Sequence, residues 1–225
     1  MKTDLRRLLL WGLSAAFIMA SLGLIFLYAP AEKEMGDIQR IFYFHVPLAW
    51  IAFLSFFVVF LGSILYLWKR DIKWEILAHA SGEIGVLFTT LVLITGPIWA
   101  RPVWGTWWIW EPRLTASLVL WFTYVAYLLI RSYAGEVSRG ARFAAVVGII
   151  GFVNVPIVYL AVELGRTLHP PELVSDLAGS MLLTLLVSIA AFTVLYIVLL
   201  SLSVSGKRLN SRVHRLSQIL EDEEL

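Results

Sequence analysis

The sequence predicts an all-α integral membrane protein. Of its 225 residues, 60% are hydrophobic and 15% are charged, whereas soluble domains carry about 25% charged residues. The mean hydropathy is +0.81. Six apolar stretches fit the roughly 20 residues that a transmembrane helix needs. They are continuous apolar runs rather than the alternating segments of about ten residues that build membrane barrels, which favours helices over strands.

The six predicted transmembrane helices follow one another through short connections, so residues 1–225 are expected to form a single membrane domain. Residues 205–225 are expected to form its charged cytoplasmic tail. In chain order the helices are predicted at Leu8–Ala29, His45–Trp68, Ile76–Trp99, Leu114–Ile130, Phe143–Val162 and Leu177–Val204.

The first apolar stretch could also be a signal peptide, because Lys2, Arg6 and Arg7 precede it. Its apolar region is much longer than the roughly 7–15 residues of a signal core. We therefore expect a retained transmembrane helix.

The basic residues predict the orientation of the helices. Of the 18 lysines and arginines, thirteen fall on the side of the two termini and five on the other side. Because basic residues concentrate in cytoplasmic loops, both termini are expected in the cytoplasm. The loop between helices three and four, and the loops Pro30–Phe44 and Glu163–Asp176, are then expected outside. The thirteen are Lys2, Arg6, Arg7, Lys69, Arg70, Lys73, Arg131, Arg139, Arg142, Lys207, Arg208, Arg212 and Arg215, and the five are Lys33, Arg40, Arg101, Arg113 and Arg166.

The loop between predicted helices three and four contains four tryptophans within seven residues. Tryptophan favours the headgroup level of any membrane protein, so an aromatic belt is the alternative explanation. A belt, however, places about one or two tryptophans at each helix end rather than four in one loop. The run therefore indicates a binding surface for a large flat aromatic ligand. Its residues are Trp104, Gly105, Trp107, Trp108, Trp110, Glu111 and Arg113.

The chain contains no cysteine. This excludes disulfides, thiolate metal sites and the Cys-x-x-Cys-His motif that attaches haem covalently. A metal cofactor would therefore have to be held by histidine. The four histidines are His45, His79, His169 and His214.

Two of these histidines share the predicted outer side with the tryptophan loop. His45 begins the second helix, and His169 lies in the last outer loop. Two neutral imidazoles can fill both axial positions of a haem iron, while the porphyrin supplies the in-plane nitrogens. The indoles could pack against the macrocycle. Arginines on the same side could pair with the haem propionates; the candidates, besides Arg113, are Arg40, Arg101 and Arg166.

The other two histidines favour different roles. His214 lies in the basic tail and is expected to be solvated. His79 and Glu83 lie inside the third helix at i, i+4 spacing. Ionisable residues at depth in a membrane indicate function by default, but a simple hydrogen bond between these two residues is nearly as good an explanation.

The segment Trp104-Gly-Thr-Trp-Trp-Ile-Trp-Glu-Pro-Arg-Leu-Thr115 closely resembles the WWD motif of haem-handling proteins in cytochrome c maturation. The flanking segments Arg40–Pro47 and Glu163–His169, and Asn154-Val-Pro156, resemble the haem exporter protein C family (CcmC) in particular. The resemblance covers nearly the whole chain.

This resemblance implies a six-helix protein of the bacterial or archaeal cytoplasmic (inner) membrane that carries no enzymatic activity. It implies that non-covalent haem b is bound at the outer face between His45 and His169. It also implies delivery of that haem to a periplasmic haem chaperone (CcmE), together with ABC transporter subunits (CcmA, CcmB) and a small membrane subunit (CcmD).

The chain departs from the family pattern at two neighbouring positions of the motif. The family's usual aspartate and alanine are replaced by Glu111 and Pro112. Proline suits the first position of a helix and an acid suits the positive end of its dipole. Glu111 is therefore expected to organise the start of the fourth helix, with Arg113 as a possible partner, rather than to contact haem.

Three functional classes remain open from the sequence. A haem-binding and transfer protein is favoured. A permease subunit that moves haem across the membrane is the alternative. Within the predicted helices, however, only His79 and Glu83 indicate a polar path for such transport. A b-type cytochrome is third, because it needs haem ligands at two depths.

Overall fold

The computed structural model describes residues 2–133, 137–164 and 177–223. These residues form seven α-helices and two short helical turns, with no β-strand among them. The helices are α1 (Lys2–Gly23), α2 (Phe42–Lys69), α3 (Ile72–Trp104), α4 (Pro112–Tyr133), α5 (Val137–Phe152), α6 (Asn154–Leu164) and α7 (Gly179–Glu223), with a π-helical turn at Leu24–Tyr28 and a 3₁₀ turn at Asp37–Ile41.

Six segments of the described chain are long and apolar enough to cross a membrane. The first joins α1 to the π-helical turn, the fifth joins α5 to α6, and α2, α3, α4 and α7 each supply one. The predicted all-α architecture with six transmembrane segments is therefore confirmed at the level of length and composition. The orientation of these segments stays a prediction.

Several helices extend beyond the predicted apolar stretches. Helix α3 continues to Trp104, five residues past the predicted end at Trp99, and α7 continues through the charged tail to Glu223 rather than ending at Val204. An apolar-run criterion marks the part of a helix that suits the membrane core. It does not detect the polar turns at which the same helix continues outside that core.

The fifth predicted helix is interrupted, which the prediction of one continuous helix over Phe143–Val162 missed. Helix α5 ends at Phe152 and α6 begins at Asn154. Pro156 explains the break, because proline lacks a backbone N–H and its ring clashes with the carbonyl four residues earlier, here that of Phe152. The side-chain amide of Asn154 donates a hydrogen bond of 2.9 Å to the Ala116 carbonyl, which fastens α6 to α4.

The main core lies where α2, α3, α4 and α5 meet. The rings of Phe56 and Tyr124 stack with centroids 3.7 Å apart, and the Tyr124 hydroxyl donates to the Gly148 carbonyl at 3.1 Å. Gly85 brings α3 so close to α2 that a Cβ at this position would lie 2.5 Å from Phe56 Cε1. Leu120 belongs to the same buried cluster and also to the wall of the cavity described below.

A polar cluster joins α3, α4 and α7 at the end of the bundle opposite the tryptophan loop. Arg131 of α4 pairs with buried Glu75. His79 Nε2 lies 3.4 Å from the Glu83 carboxylate, and Lys207 Nζ lies 2.6 Å from the same carboxylate. The expected i, i+4 contact between His79 and Glu83 is confirmed, and Lys207 joins Glu83 to α7.

Candidate functional site

A cavity opens among the first turns of α2, the second half of α3, the tryptophan loop, α4 and α6. The space between its lining residues is about 940 Å³, a figure that includes open solvent at the mouth. Its walls are mostly apolar. Its polar and charged lining residues are His45, Thr89, Thr106, Glu111, Arg113 and Ser117.

The tryptophan loop is shaped by the end of α3. Gly105 adopts φ +75°, a left-handed conformation that glycine adopts without steric cost, and its N–H donates to the Arg101 carbonyl at 3.0 Å. The Arg101 guanidinium donates to the Gly105 carbonyl, and the Thr106 hydroxyl donates to the Trp108 carbonyl at 3.1 Å. These contacts turn the chain back over the helix end, so that the following indoles line the cavity.

The four tryptophans of the loop occupy different environments. Trp104, Trp107 and Trp108 line the cavity. Trp110 does not; its side chain is 75% exposed and contacts Trp108 edge-on, with ring centroids 5.6 Å apart. The indole N–H of Trp108 is buried and has no acceptor among the described residues. A buried donor of this kind in a cavity wall suits a ligand that carries acceptor oxygens.

His45 lies in the first turn of α2 and lines the cavity. Its Nδ1 is 2.8 Å from the Thr95 hydroxyl of α3, and its ring lies 6.0 Å from that of Trp99. The structure therefore brings this predicted ligand into one cavity with the tryptophan loop, although more than 50 residues of sequence separate them.

Glu111 and Arg113 bring opposite charges to the cavity wall at the start of α4. Glu111 is 5% exposed, and its carbonyl accepts the N–H of Thr115 at 3.0 Å, which places it immediately before the first helical residue, Pro112. This arrangement fits the expected organising role at the helix start. The carboxylate also interacts electrostatically with the Arg113 guanidinium.

Two of the other candidate arginines, Arg40 and Arg101, lie outside the cavity lining. Arg40 pairs with Asp37 at 2.9 Å and donates to the Ile25 carbonyl, while Arg101 closes the tryptophan loop. Among the described residues, Arg113 is thus the predicted propionate partner that lines the cavity. His169 and Arg166 lie outside the described residues, so their predicted roles stay predictions.

Sequence reasoning missed the α3 wall of the cavity. Gly96 and Trp99 line the cavity, and Thr95 beside them hydrogen-bonds His45 without lining the cavity itself; none of the three belongs to the motif. Their helical spacing directly before the tryptophan run was a signal that could have found them. The apolar and small lining residues are Ala49, Ala52, Phe53, Val92, Leu93, Pro97, Ala100, Ile109, Leu114, Leu120 and Val158.

Comparison with known proteins gives consistent matches over most of the chain. The family model described as Heme exporter protein C matches residues 3–219. A protein of that name from Bradyrhizobium diazoefficiens is 34% identical over 220 residues, which cover 95% of this chain and 83% of the relative. Its counterpart in Haemophilus influenzae is 38% identical over 177 residues, covering 76% of this chain and 71% of the relative.

A mitochondrial relative agrees with these bacterial matches. A ccmC-like protein of cytochrome c biosynthesis from Marchantia polymorpha is 33% identical over 179 residues, which cover 80% of this chain and 74% of the relative. The family model spans nearly all of the sequence, and the relatives exceed 30% identity over most of it. The chain belongs to the haem exporter protein C family.

Proposed function

We propose that this protein binds haem b non-covalently in the cavity beneath the tryptophan loop, with His45 and His169 as the axial ligands. Family membership makes the chain a haem-handling transport or transfer component of cytochrome c maturation rather than an enzyme. The observation that carries the finer proposal is the convergence of His45 and the tryptophan loop on one mostly apolar cavity.

In this proposal each of the described site residues has its own role in haem binding. His45 supplies a neutral nitrogen ligand to the iron. Trp104, Trp107 and Trp108 pack against the macrocycle, which buries apolar area and offers face and edge contacts. Arg113 pairs with a propionate by a charge-assisted hydrogen bond. Glu111 holds Arg113 and the start of α4 in place.

The direction of transfer follows from the predicted topology. With both termini in the cytoplasm, the cavity faces the periplasm or the outside of a cytoplasmic (inner) membrane. Haem bound there would pass to a periplasmic haem chaperone (CcmE). The ABC transporter subunits (CcmA, CcmB) and the small subunit (CcmD) are the proposed companions. Passage of haem through this chain alone is disfavoured in this proposal because Glu83 is ion-paired with Lys207 and contacts His79.

A haem-transfer assay tests this proposal. Purified protein in nanodiscs is loaded with haem and mixed with the soluble domain of a periplasmic haem chaperone, and the movement of the Soret band between the two is followed. We expect transfer in the wild type and its loss in His45→Ala, with His214→Ala as the matched control. Catalytic oxidation of an added quinol without any haem transfer would contradict the proposal and favour a b-type cytochrome.

A further inference from the structure

The side chain of His45 is held by a threonine of the neighbouring helix. Thr95 Oγ1 lies 2.8 Å from His45 Nδ1, 2.8 Å from the Leu91 carbonyl oxygen and 3.4 Å from the Val92 carbonyl oxygen. A hydroxyl has one hydrogen, and a carbonyl oxygen can only accept. The Thr95 hydrogen is therefore directed at the α3 backbone, and its oxygen accepts the N–H of His45 Nδ1.

This hydrogen bond selects one tautomer of the imidazole. A neutral imidazole protonated on Nδ1 carries its lone pair on Nε2, and the partner of one ring nitrogen decides which nitrogen can bind a metal. We propose that Thr95 is a positioning residue of the haem site, which keeps the proton of His45 on Nδ1 and presents Nε2 to the iron. The inference rests on the proposed function, because it takes His45 as an iron ligand.

Two further residues on the same part of α3 lie next to the ring. A Cβ at Gly96 would lie 3.5 Å from His45 Cε1, so the glycine leaves the width of one side-chain atom free beside the imidazole. The Trp99 indole lies one turn beyond Thr95, with its ring centroid 6.0 Å from that of His45 and the planes inclined by 60°. Among these α3 neighbours of the ring, Thr95 is the one that forms a hydrogen bond with it.

Helix α3 offers a matched control for this arrangement. Thr90 also donates to the backbone of its own helix, at 2.8 Å from the Val86 carbonyl, and accepts a hydrogen bond from Trp121 Nε1 at 2.8 Å. Its partner Trp121 does not line the cavity, whereas His45, the partner of Thr95, does. Thr90 therefore reproduces the donor and acceptor roles of Thr95 for a side chain that has no place in the haem site.

The first test compares haem affinity and the electron paramagnetic resonance (EPR) spectrum of the ferric complex. When the group that hydrogen-bonds the second nitrogen of a metal-bound histidine is removed, metal affinity typically falls about 10–100-fold. We expect a loss of that size in Thr95→Val, which preserves volume, together with shifted g values because the imidazole plane is less fixed. Thr95→Ser should restore both properties, and Thr90→Val should behave as the wild type.

The outcomes separate this inference from the proposed function. If His45→Ala loses haem while Thr95→Val keeps wild-type affinity and g values, only the positioning role is wrong. If His45→Ala binds haem as the wild type does, the ligand assignment itself is wrong, and the role of Thr95 falls with it.

Chemical rescue gives a second test whose deciding comparison is made in His45→Gly and so does not depend on the folding of Thr95→Val. In His45→Gly, added imidazole can ligate iron and still donate an N–H to Thr95, whereas 1-methylimidazole has no N–H to donate. We expect imidazole to restore haem binding better than 1-methylimidazole, and this preference to disappear in the double variant His45→Gly/Thr95→Val. Equal rescue by both compounds in His45→Gly would overturn the inference.

Discussion

At the scale of single residues, the tryptophans of one loop are not equivalent. Trp108 lines the cavity with a buried indole N–H, while Trp110 is 75% exposed beside it. We predict that Trp108→Ala weakens haem retention markedly because packing area against the macrocycle is lost. Trp110→Ala should weaken it little. Haem dissociation rates measured for both variants check the prediction, and equal, small effects would favour a simple aromatic belt.

Glu111 is one of the two residues at which the chain departs from the motif of its family. Because Glu111 lies immediately before Pro112, we prefer the explanation that its carboxylate stabilises the start of α4. We predict that Glu111→Asp leaves haem transfer and the melting temperature nearly unchanged, because charge and capping ability survive. Glu111→Gln should lower stability, since it removes a favourable charge–dipole interaction of about 0.3–1 kcal/mol as well as the attraction to Arg113.

Thermal unfolding and haem transfer for the two Glu111 variants, measured side by side, decide between the alternatives. A stable Glu111→Asp protein that cannot pass haem onward would show that the reach of the carboxylate matters. Glu111 would then act on the cargo or on the chaperone rather than on the helix.

The sequence could predict these residues because they carry local signals. A dense tryptophan run, an acid before a proline and two histidines near apolar stretches can all be recognised within a few positions. The Thr95–His45 contact joins residues 50 positions apart on two helices. Such a pairing depends on how α2 and α3 pack against each other. The residues that flank Thr95 and His45 in the sequence do not indicate which positions of the two helices meet.

At the scale of helices, close packing depends on a few glycines. A Cβ at Gly85 would lie 2.5 Å from Phe56 Cε1 and 2.8 Å from Phe56 Cδ1. Phe56 is fully buried and stacked on Tyr124, so its ring has little room to move. We predict that Gly85→Ala destabilises the protein by about 1–3 kcal/mol through overpacking. Thermal unfolding in detergent measures this effect.

Gly12 provides the matched control for the substitution at Gly85. It lies in α1, and no side chain or neighbouring backbone atom lies within 4 Å of a Cβ placed there. Alanine favours a helix over glycine by up to about 1 kcal/mol. Gly12→Ala should therefore be neutral or slightly stabilising, and equal destabilisation by both substitutions would argue against the packing of α2 on α3 described above.

The apolar composition predicted that these helices exist, but it did not predict where one of them is interrupted. Apolar length identified all six transmembrane segments. It treated the fifth as one helix because Asn154 and Pro156 are two short interruptions in a long apolar run. Whether a proline bends a helix or ends it depends on the packing around it, and here α6 begins at Asn154, whose side-chain amide donates to the Ala116 carbonyl of α4.

At the scale of the whole molecule, the predicted orientation can be tested with unusual ease. The chain has no cysteine, so a single introduced thiol is the sole site for a maleimide label. We predict that Trp110→Cys reacts with a membrane-impermeant maleimide added outside intact cells. Ser211→Cys, in the exposed tail of α7, should react only after the membrane is opened. The reverse pattern would place the haem cavity on the cytoplasmic side.

The account as a whole depends on histidine ligation of haem in the cavity, and the visible spectrum of the purified protein titrated with haem tests it most directly. We predict a six-coordinate, low-spin spectrum at one haem per chain. His45→Ala and His169→Ala should each lose the low-spin form, while His79→Ala and His214→Ala should keep it. A double variant of His45 and His169 with an unchanged spectrum and stoichiometry would contradict the account.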